Sequence, residues 1–191
     1  IGIIAAEIIE ETRPRINLGL RITREEYEKR WGVLQNRMSL KGYGLAYACG
    51  SELDRSDIAW LAGVFDPIIE RYGILIPSEG RPVVLAGPEG GHVIEEAVEE
   101  SGADIVFLKE FQISDEDYRH ARFTSLREVL KRTGVPEDSR VAILSSPQAV
   151  PYEQVMLLHK VFGVNKVFFD EELLQRIKYE KSDRELAICE M

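Results

Sequence analysis

The chain reads as an α/β protein built on a mixed central sheet with helices on both faces. Three observations predict it. Strand-like and helix-like runs alternate along most of the sequence. Two of the strand-like runs, Tyr72 to Pro77 and Pro82 to Ala86, are joined by the turn residues Ser78-Glu79-Gly80 and so form an antiparallel hairpin. Both runs are apolar throughout, as in a largely buried sheet, and 191 residues suffice for one domain with a core of that size.

Residues 1–11 place Ile1, Ile4, Ile8 and Glu11 on one helical stripe with Ala5 and Ile9 beside it, which predicts an amphipathic arm packing on its own domain or on a neighbour. Arg13-Pro14-Arg15 breaks it. Thr23 with Glu26 three positions on is capping-box sequence, and Tyr27, Trp31, Leu34 and Met38 then make one face of a helix that stops at Gly42. Tyr43 to Cys49 follows as a strand, and Asp54 to Asp57 offer N-caps for a brief helix through Ile58, Trp60 and Leu61 to Gly63. After the hairpin, Gly90-Gly91 opens a helix with Val93, Ile94, Ala97 and Val98 inward and four glutamates facing water, and Asp104 to Leu108 is the next strand. Ser114 or Asp115 caps a helix whose stripe is Tyr118, Phe123, Leu126, Val129 and Leu130, closed by Gly134 and Pro136. Arg140 to Leu144 is strand, Tyr152 to Phe162 helix, and Lys166 to Phe169 strand. Asp170 to Lys178 and Ser182 to Met191 are two successive helices, the second with the capping pair Ser182 and Glu185.

Composition excludes several classes. A net charge of −9 with no basic stripe argues against a nucleic-acid surface, because phosphate binding needs clustered Lys and Arg. No apolar run reaches the roughly 18 residues of a spanning helix, and the apolar start is interrupted by Glu7 and lacks a basic leader, which predicts a cytoplasmic protein with no membrane partner. Cys49 and Cys189 match no CxxC spacing and read as small buried or half-buried thiols in a reducing compartment. The chain opens on Ile and ends inside a helical pattern, as expected for a piece of something longer.

Residues with chemistry do not converge. His92 sits at a helix start, His120 on a helix between Arg119 and Arg122, and His159 in a helix interior, none of them in an HExxH arrangement. Asp115-Glu116-Asp117 reads as acidic first-turn residues favoured by the helix dipole. Gly87 to His92 is glycine-rich before a helix and could cradle an anion, but no Lys-Ser or Lys-Thr follows and Glu89 would repel phosphate. Ser145-Ser146 lacks the glycines of a nucleophile elbow, and Trp60 and Phe65 read as core before they read as a substrate platform. Arg71 and Glu89 stand at the outer ends of the hairpin strands, where loops carry binding groups. No catalytic residue, metal-ligand set or cofactor site emerges within this chain, and whether it belongs to an enzyme stays open on these grounds.

Taken together, the capping-box helix, the strand ending at Ala48, DIAWLAGVF from Asp57 to Phe65, Arg71 before GILIP, Gly80-Arg81-Pro82 before VVLA, and Glu89 resemble the amino-terminal domain of the creatinase/prolidase family of pita-bread metallohydrolases. The close of the chain is similar as well: Lys181, Ser182, Glu185 and Leu186 match the family's Lys-Ser-x-x-Glu-Ile signal, with Lys178 where Arg is usual. The resemblance spans about residues 20–191. It implies a ribonuclease H-like sheet, the domain proper over 20–175 and, over 176–191, the start of a linker helix to a catalytic domain, which leaves residues 1–19 as the amino-terminal arm read above. In the family that domain holds two divalent ions, Mn, Co or Zn, on two Asp, one His and two Glu, so no catalytic residue carries over. The resemblance further implies a homodimer and a role in walling the substrate cleft, for which Asp57, Trp60, Phe65, Arg71 and His92 are the candidates. Asp57, Trp60 and Ala62 replace the family's commoner Asn, Tyr and Thr, leaving the substrate open between Xaa-Pro peptides and other small amides. The alternatives are a peptide- or protein-binding module from a family member without metal ligands, and an independent small-molecule enzyme resting on His92 and Glu89.

Overall fold

In the computed structural model, residues 2–12, 17, 19–65, 70–113 and 118–190 are described. The elements are helix α1 (Gly2–Thr12), α2 (Arg24–Lys41), strand β1 (Leu45–Gly50), α3 (Ser56–Ala62), β2 (Tyr72–Pro77), β3 (Val83–Ala86), α4 (Pro88–Ser101), β4 (Asp104–Phe107), α5 (Leu126–Thr133), β5 (Val141–Ile143), α6 (Tyr152–Phe162), β6 (Val167–Phe169), α7 (Glu172–Lys178) and α8 (Asp183–Cys189). The six strands form one sheet in the order β4-β3-β2-β1-β5-β6. Strand β2 runs antiparallel to both β1 and β3, and all other pairings are parallel. Without the edge strand β4, the order β3-β2-β1-β5-β6 with β2 alone reversed is the ribonuclease H-like arrangement.

Alternation along the strands builds two cores. Ala46, Ala48, Tyr72, Ile74, Ile76, Val84 and Ala142 face one side, beneath α2, α3, α4 and α7. Leu45, Tyr47, Leu75, Leu85, Val141 and Ile143 face the other, beneath α5, α6 and the 3-10 turn Lys109–Phe111. Helix α2 is fastened by the predicted stripe, since Tyr27, Trp31, Leu34 and Met38 are all buried, Leu34 and Met38 completely. Each is worth about 2 kcal/mol of burial. That sum outweighs a missing N-cap, about 1 kcal/mol. The cap is indeed missing: Thr23 makes no side-chain cap hydrogen bond, and Glu26 turns instead to Arg30 one helical turn on, at 3.6 Å.

Other local expectations shift for tertiary reasons. Helix α3 begins at Ser56, whose N–H and hydroxyl both donate to Asp54 Oδ1, at 3.1 and 2.9 Å. Val93, placed inward by its spacing, is 56% exposed on α4, because Ile94 and Val98 already fill that contact. The helix expected from Ser114 or Asp115 has its proposed cap outside the described residues; α5 starts only at Leu126, behind a complete capping box of Ser125 and Glu128. Tyr118 and Phe123 therefore precede that helix, and His120 lies in a turn rather than on it. The chain there is held to the sheet by a bridge from Leu108 to Thr124. The capping box of Ser182 and Glu185 forms as predicted, and α1 is helical as predicted, with its isoleucines exposed.

Candidate functional site

Parallel β1, β3, β4 and β5 and reversed β2 bring one set of loops to one edge of the sheet: those after β1, β3, β4 and β5, and the one before β2. Carboxyl ends of parallel strands are where α/β folds place binding groups. Two depressions open there. One, of about 600 Å³, lies at the ends of β1 and β5 and is lined by Ser51, Asp54, Arg71, Ser146, Gln148 and Pro151. In it Arg71 Nη1 meets Glu153 Oε1 of the first α6 turn at 3.2 Å, both side chains more than half exposed. The other, of about 800 Å³, lies at the ends of β3 and β4 and includes Glu89, His92, Phe107, Tyr118 and His120. There the His92 and Phe107 rings are 6.3 Å apart, and the Tyr118 hydroxyl donates to Glu89 Oε2 at 2.7 Å.

The glycine-rich start of α4 is occupied by a carboxyl group of the protein itself. Glu70, buried, accepts from the Gly90 N–H at 2.7 Å, and its carboxylate fills the space a Cβ on Gly87 would need, only 2.1 Å away. Among the described residues its Oε1 finds no hydrogen-bond partner. Burial pushes the Glu70 carboxyl above the ordinary carboxylate range, and the Gly90 amide only partly opposes this. With its folded-state pKa raised, Glu70 contributes stability that is fully present below its unfolded value and is lost as pH rises through the folded one. Glu70→Gln should therefore gain stability relative to wild type as pH rises from about 4 to about 7. Urea midpoints that move in parallel over that range would exclude it.

The two thiols and the serine pair have structural places. Cys49 is buried, its thiol pushed up to about 11 by desolvation, and its N–H donates to Ser145 Oγ at 3.0 Å. Cys189 is exposed. Among the described residues no three His, Cys, Asp or Glu side chains gather as metal donors, and no described helix is long and apolar enough to cross a membrane.

The five cleft candidates fall in four separate places. Arg71 and His92 line the two depressions on the sheet edge, while Phe65, 58% exposed, stands in an apolar groove between α2 and α4. Asp57 and Trp60, three residues apart on α3 and so on one face, turn toward the end of the chain. Asp57 Oδ1 receives Lys178 Nζ at 2.8 Å, and Trp60 Nε1 donates to Glu185 Oε1 at 3.0 Å. The two stretches that carried the family resemblance thus touch each other. Sequence reasoning missed two members of this arrangement. Arg30, 6% exposed, has its guanidinium 4.5 Å from the Trp60 ring and 3.2 Å from Glu185; its position three residues after Tyr27, on the buried face of α2, was the available signal. Glu70 carried no signal beyond its place beside Arg71.

The fold so defined is that of the creatinase/prolidase amino-terminal domain, as the resemblance implied. No family model and no curated protein matches the chain. Solved structures do. The dipeptidase PepE from Mycobacterium ulcerans superposes with a TM-score of 0.62 at 15% identity over 87% of this chain and 40% of that one. The Xaa-Pro dipeptidase from Bacillus anthracis gives 0.56 at 14% over 84% and 38%. A proline dipeptidase from Streptococcus pneumoniae gives 0.53 at 15% over 79% of this chain and 98% of that one. The chain thus spans about two fifths of the length of the first two.

Proposed function

We propose that this chain is the non-catalytic amino-terminal domain of a metal-dependent Xaa-Pro dipeptidase, aminopeptidase or related amidohydrolase, contributing a wall of the substrate cleft and a surface for homodimerisation. The observation that carries this reading is the likeness over 84–87% of the chain to two peptidases of which it spans only 38–40%. The rest of such an enzyme supplies the two Mn, Co or Zn ions; the described residues here offer no donor set for them, so no bond-breaking step is assigned to this chain. Its division is an arm over 1–19, the domain over 20–175 and a linker beginning at 176–191, which the contacts of Asp57 with Lys178 and Trp60 with Glu185 fasten to α3.

Of the cleft candidates, Arg71 has the chemistry to meet a substrate carboxylate. Its present partner is an exposed carboxylate, and exposed pairs are worth at most about 1 kcal/mol, so a well-placed substrate anion displaces Glu153 at little cost. In the parent enzyme, Arg71→Ala should raise KM for an Xaa-Pro dipeptide about tenfold, with kcat little changed and thermal stability within about 0.5 kcal/mol of wild type. Unaltered kinetics would remove Arg71 from the cleft.

The reading as a whole is tested by the parent gene beyond codon 191, which should encode the spaced Asp, Asp, His, Glu and Glu ligands. Titration calorimetry of this chain with Mn²⁺ should show no stoichiometric binding. A following segment without those ligands would replace the enzyme with a peptide- or protein-binding module, and metal held by this chain alone would defeat both.

A further inference from the structure

We propose that Arg30 and Glu185 are positioning residues: their ion pair fixes the direction in which α8 leaves the domain, and through it the placement of the cleft wall over the rest of the enzyme. The inference gives the fastening of the linker a task, and it rests on the reading of this chain as one domain of a peptidase.

Stability alone is a poor reason for the arrangement. Arg30 is 6% exposed, its guanidinium between the Tyr27 and Trp60 rings at 5.3 and 4.5 Å. Its Nη1 donates to the Trp60 carbonyl at 2.7 Å, and its Nη2 lies 3.2 Å from Glu185 Oε1. The buried Nε finds no hydrogen-bond partner among the described residues, with Glu26 standing off at 3.6 Å. Taking such a pair out of water costs about as much as the pairing gains, and apolar side chains of similar volume often hold a fold better. What the pair supplies is a single geometry, because a forked guanidinium and a carboxylate satisfy each other in few relative orientations.

Helix α8 depends on such geometry. None of its residues is buried, Leu186 is 47% exposed, and Ala187 and Ile188 are only half-buried, Ile188 at the groove between α2 and α4. Apolar contact is non-directional, so by itself it would let a helix of seven residues swing. The polar bonds are directional. Glu185 Oε1 accepts from Trp60 Nε1 at 3.0 Å, Oε2 accepts from the Ser182 N–H at 2.9 Å, and Arg184 Nη1 donates to the Arg21 carbonyl at 2.9 Å. Glu185 thereby joins the cap of α8 to both α2 and α3, while Lys178 on Asp57 holds the end of α7 to the same α3. A swing at Ser182 grows with distance along whatever follows α8. Misplacing a substrate-holding group by about 1 Å can cost up to about a hundredfold in rate.

The double variant Arg30→Met with Glu185→Ala separates position from stability, since it leaves no charge buried. A spin label on Cys189, exposed where Cys49 is buried, and another on Tyr152→Cys, at a position 77% exposed at the start of α6, report the seat of α8 through their distance distribution. Without the double variant the distribution should be narrow. With it the distribution should broaden while the urea midpoint stays close to wild type. Arg30→Lys keeps the charge and loses the fork, so it should broaden the distribution too, and it stands in for a double variant that fails to fold. In the parent enzyme the double variant should raise KM for an Xaa-Pro dipeptide by about threefold or more with kcat little changed, whereas a merely structural pair would give KM back along with stability. A narrow distribution in either folded variant overturns the inference. A broad one with unaltered KM, in an enzyme whose Arg71→Ala variant has a raised KM, overturns the positioning role and leaves the cleft reading standing. Unaltered KM in both variants overturns the cleft reading and the positioning role with it.

Discussion

Replacing Trp31 by alanine should lower the free energy of unfolding by about 4 kcal/mol, the upper part of the range for large-to-small changes in a core. The side chain is 4% exposed at the middle of the α2 stripe and lies against the Tyr27 ring, with centroids 6.5 Å apart and planes at 28°. Its indole N–H donates to the Leu61 carbonyl at 2.8 Å, tying α2 to the last turn of α3. Truncation opens a cavity between two helices that other contacts hold apart, and it leaves a buried carbonyl unsatisfied, so the transfer and desolvation costs add. Trp31→Phe keeps most of the volume and should lose only about 1–2 kcal/mol. Urea denaturation followed by circular dichroism measures both. A loss below about 1 kcal/mol for alanine would mean that α2 is not held as described.

Glu185→Ala should cost about 3 kcal/mol, the low end for stripping one partner from a buried ion pair. Glu185 Oε1 accepts from Trp60 Nε1 and lies 3.2 Å from Arg30 Nη2, while Oε2 accepts from the Ser182 N–H at 2.9 Å to complete the α8 capping box. Arg30 cannot follow its lost partner into water, because it is sandwiched against the rings of Trp60 and Tyr27 at 4.5 and 5.3 Å and donates to the Trp60 carbonyl at 2.7 Å. Glu26, at 3.6 Å, offsets part of the exposed cost and sets the estimate at the low end. The double variant Arg30→Met with Glu185→Ala should recover much of the loss, since no guanidinium is then left buried. Hydrogen exchange should show protection falling over residues 182–190 in the single variant, and additive losses in the cycle would break the pairing.

The hairpin, helix α6 and the Ser182 capping box were legible because each rests on neighbours a few residues apart: the bounds of β2 and α6 coincide with the predicted runs. The α2 stripe was legible for the same reason, its spacing being a property of the helix alone. Where local signals compete, the sequence was a poor guide. Thr23 and Glu26 spell a capping box that Arg30 dissolves, and Tyr118 with Phe123 carried a helical spacing into a stretch held to the sheet by Leu108 and Thr124.

By itself the sequence determined most of the elements and the two-sided apolar sheet, because periodicity, caps and turn residues act within one or two turns of chain. Only the tertiary structure decided what the singled-out residues do. Asp57 meets Lys178 across 121 positions, Trp60 meets Glu185 across 125, and the group held at the start of α4 is the Glu70 carboxyl of the same chain. Such partners are chosen by sheet order and helix packing, which bring together residues whose separation along the chain carries no local trace.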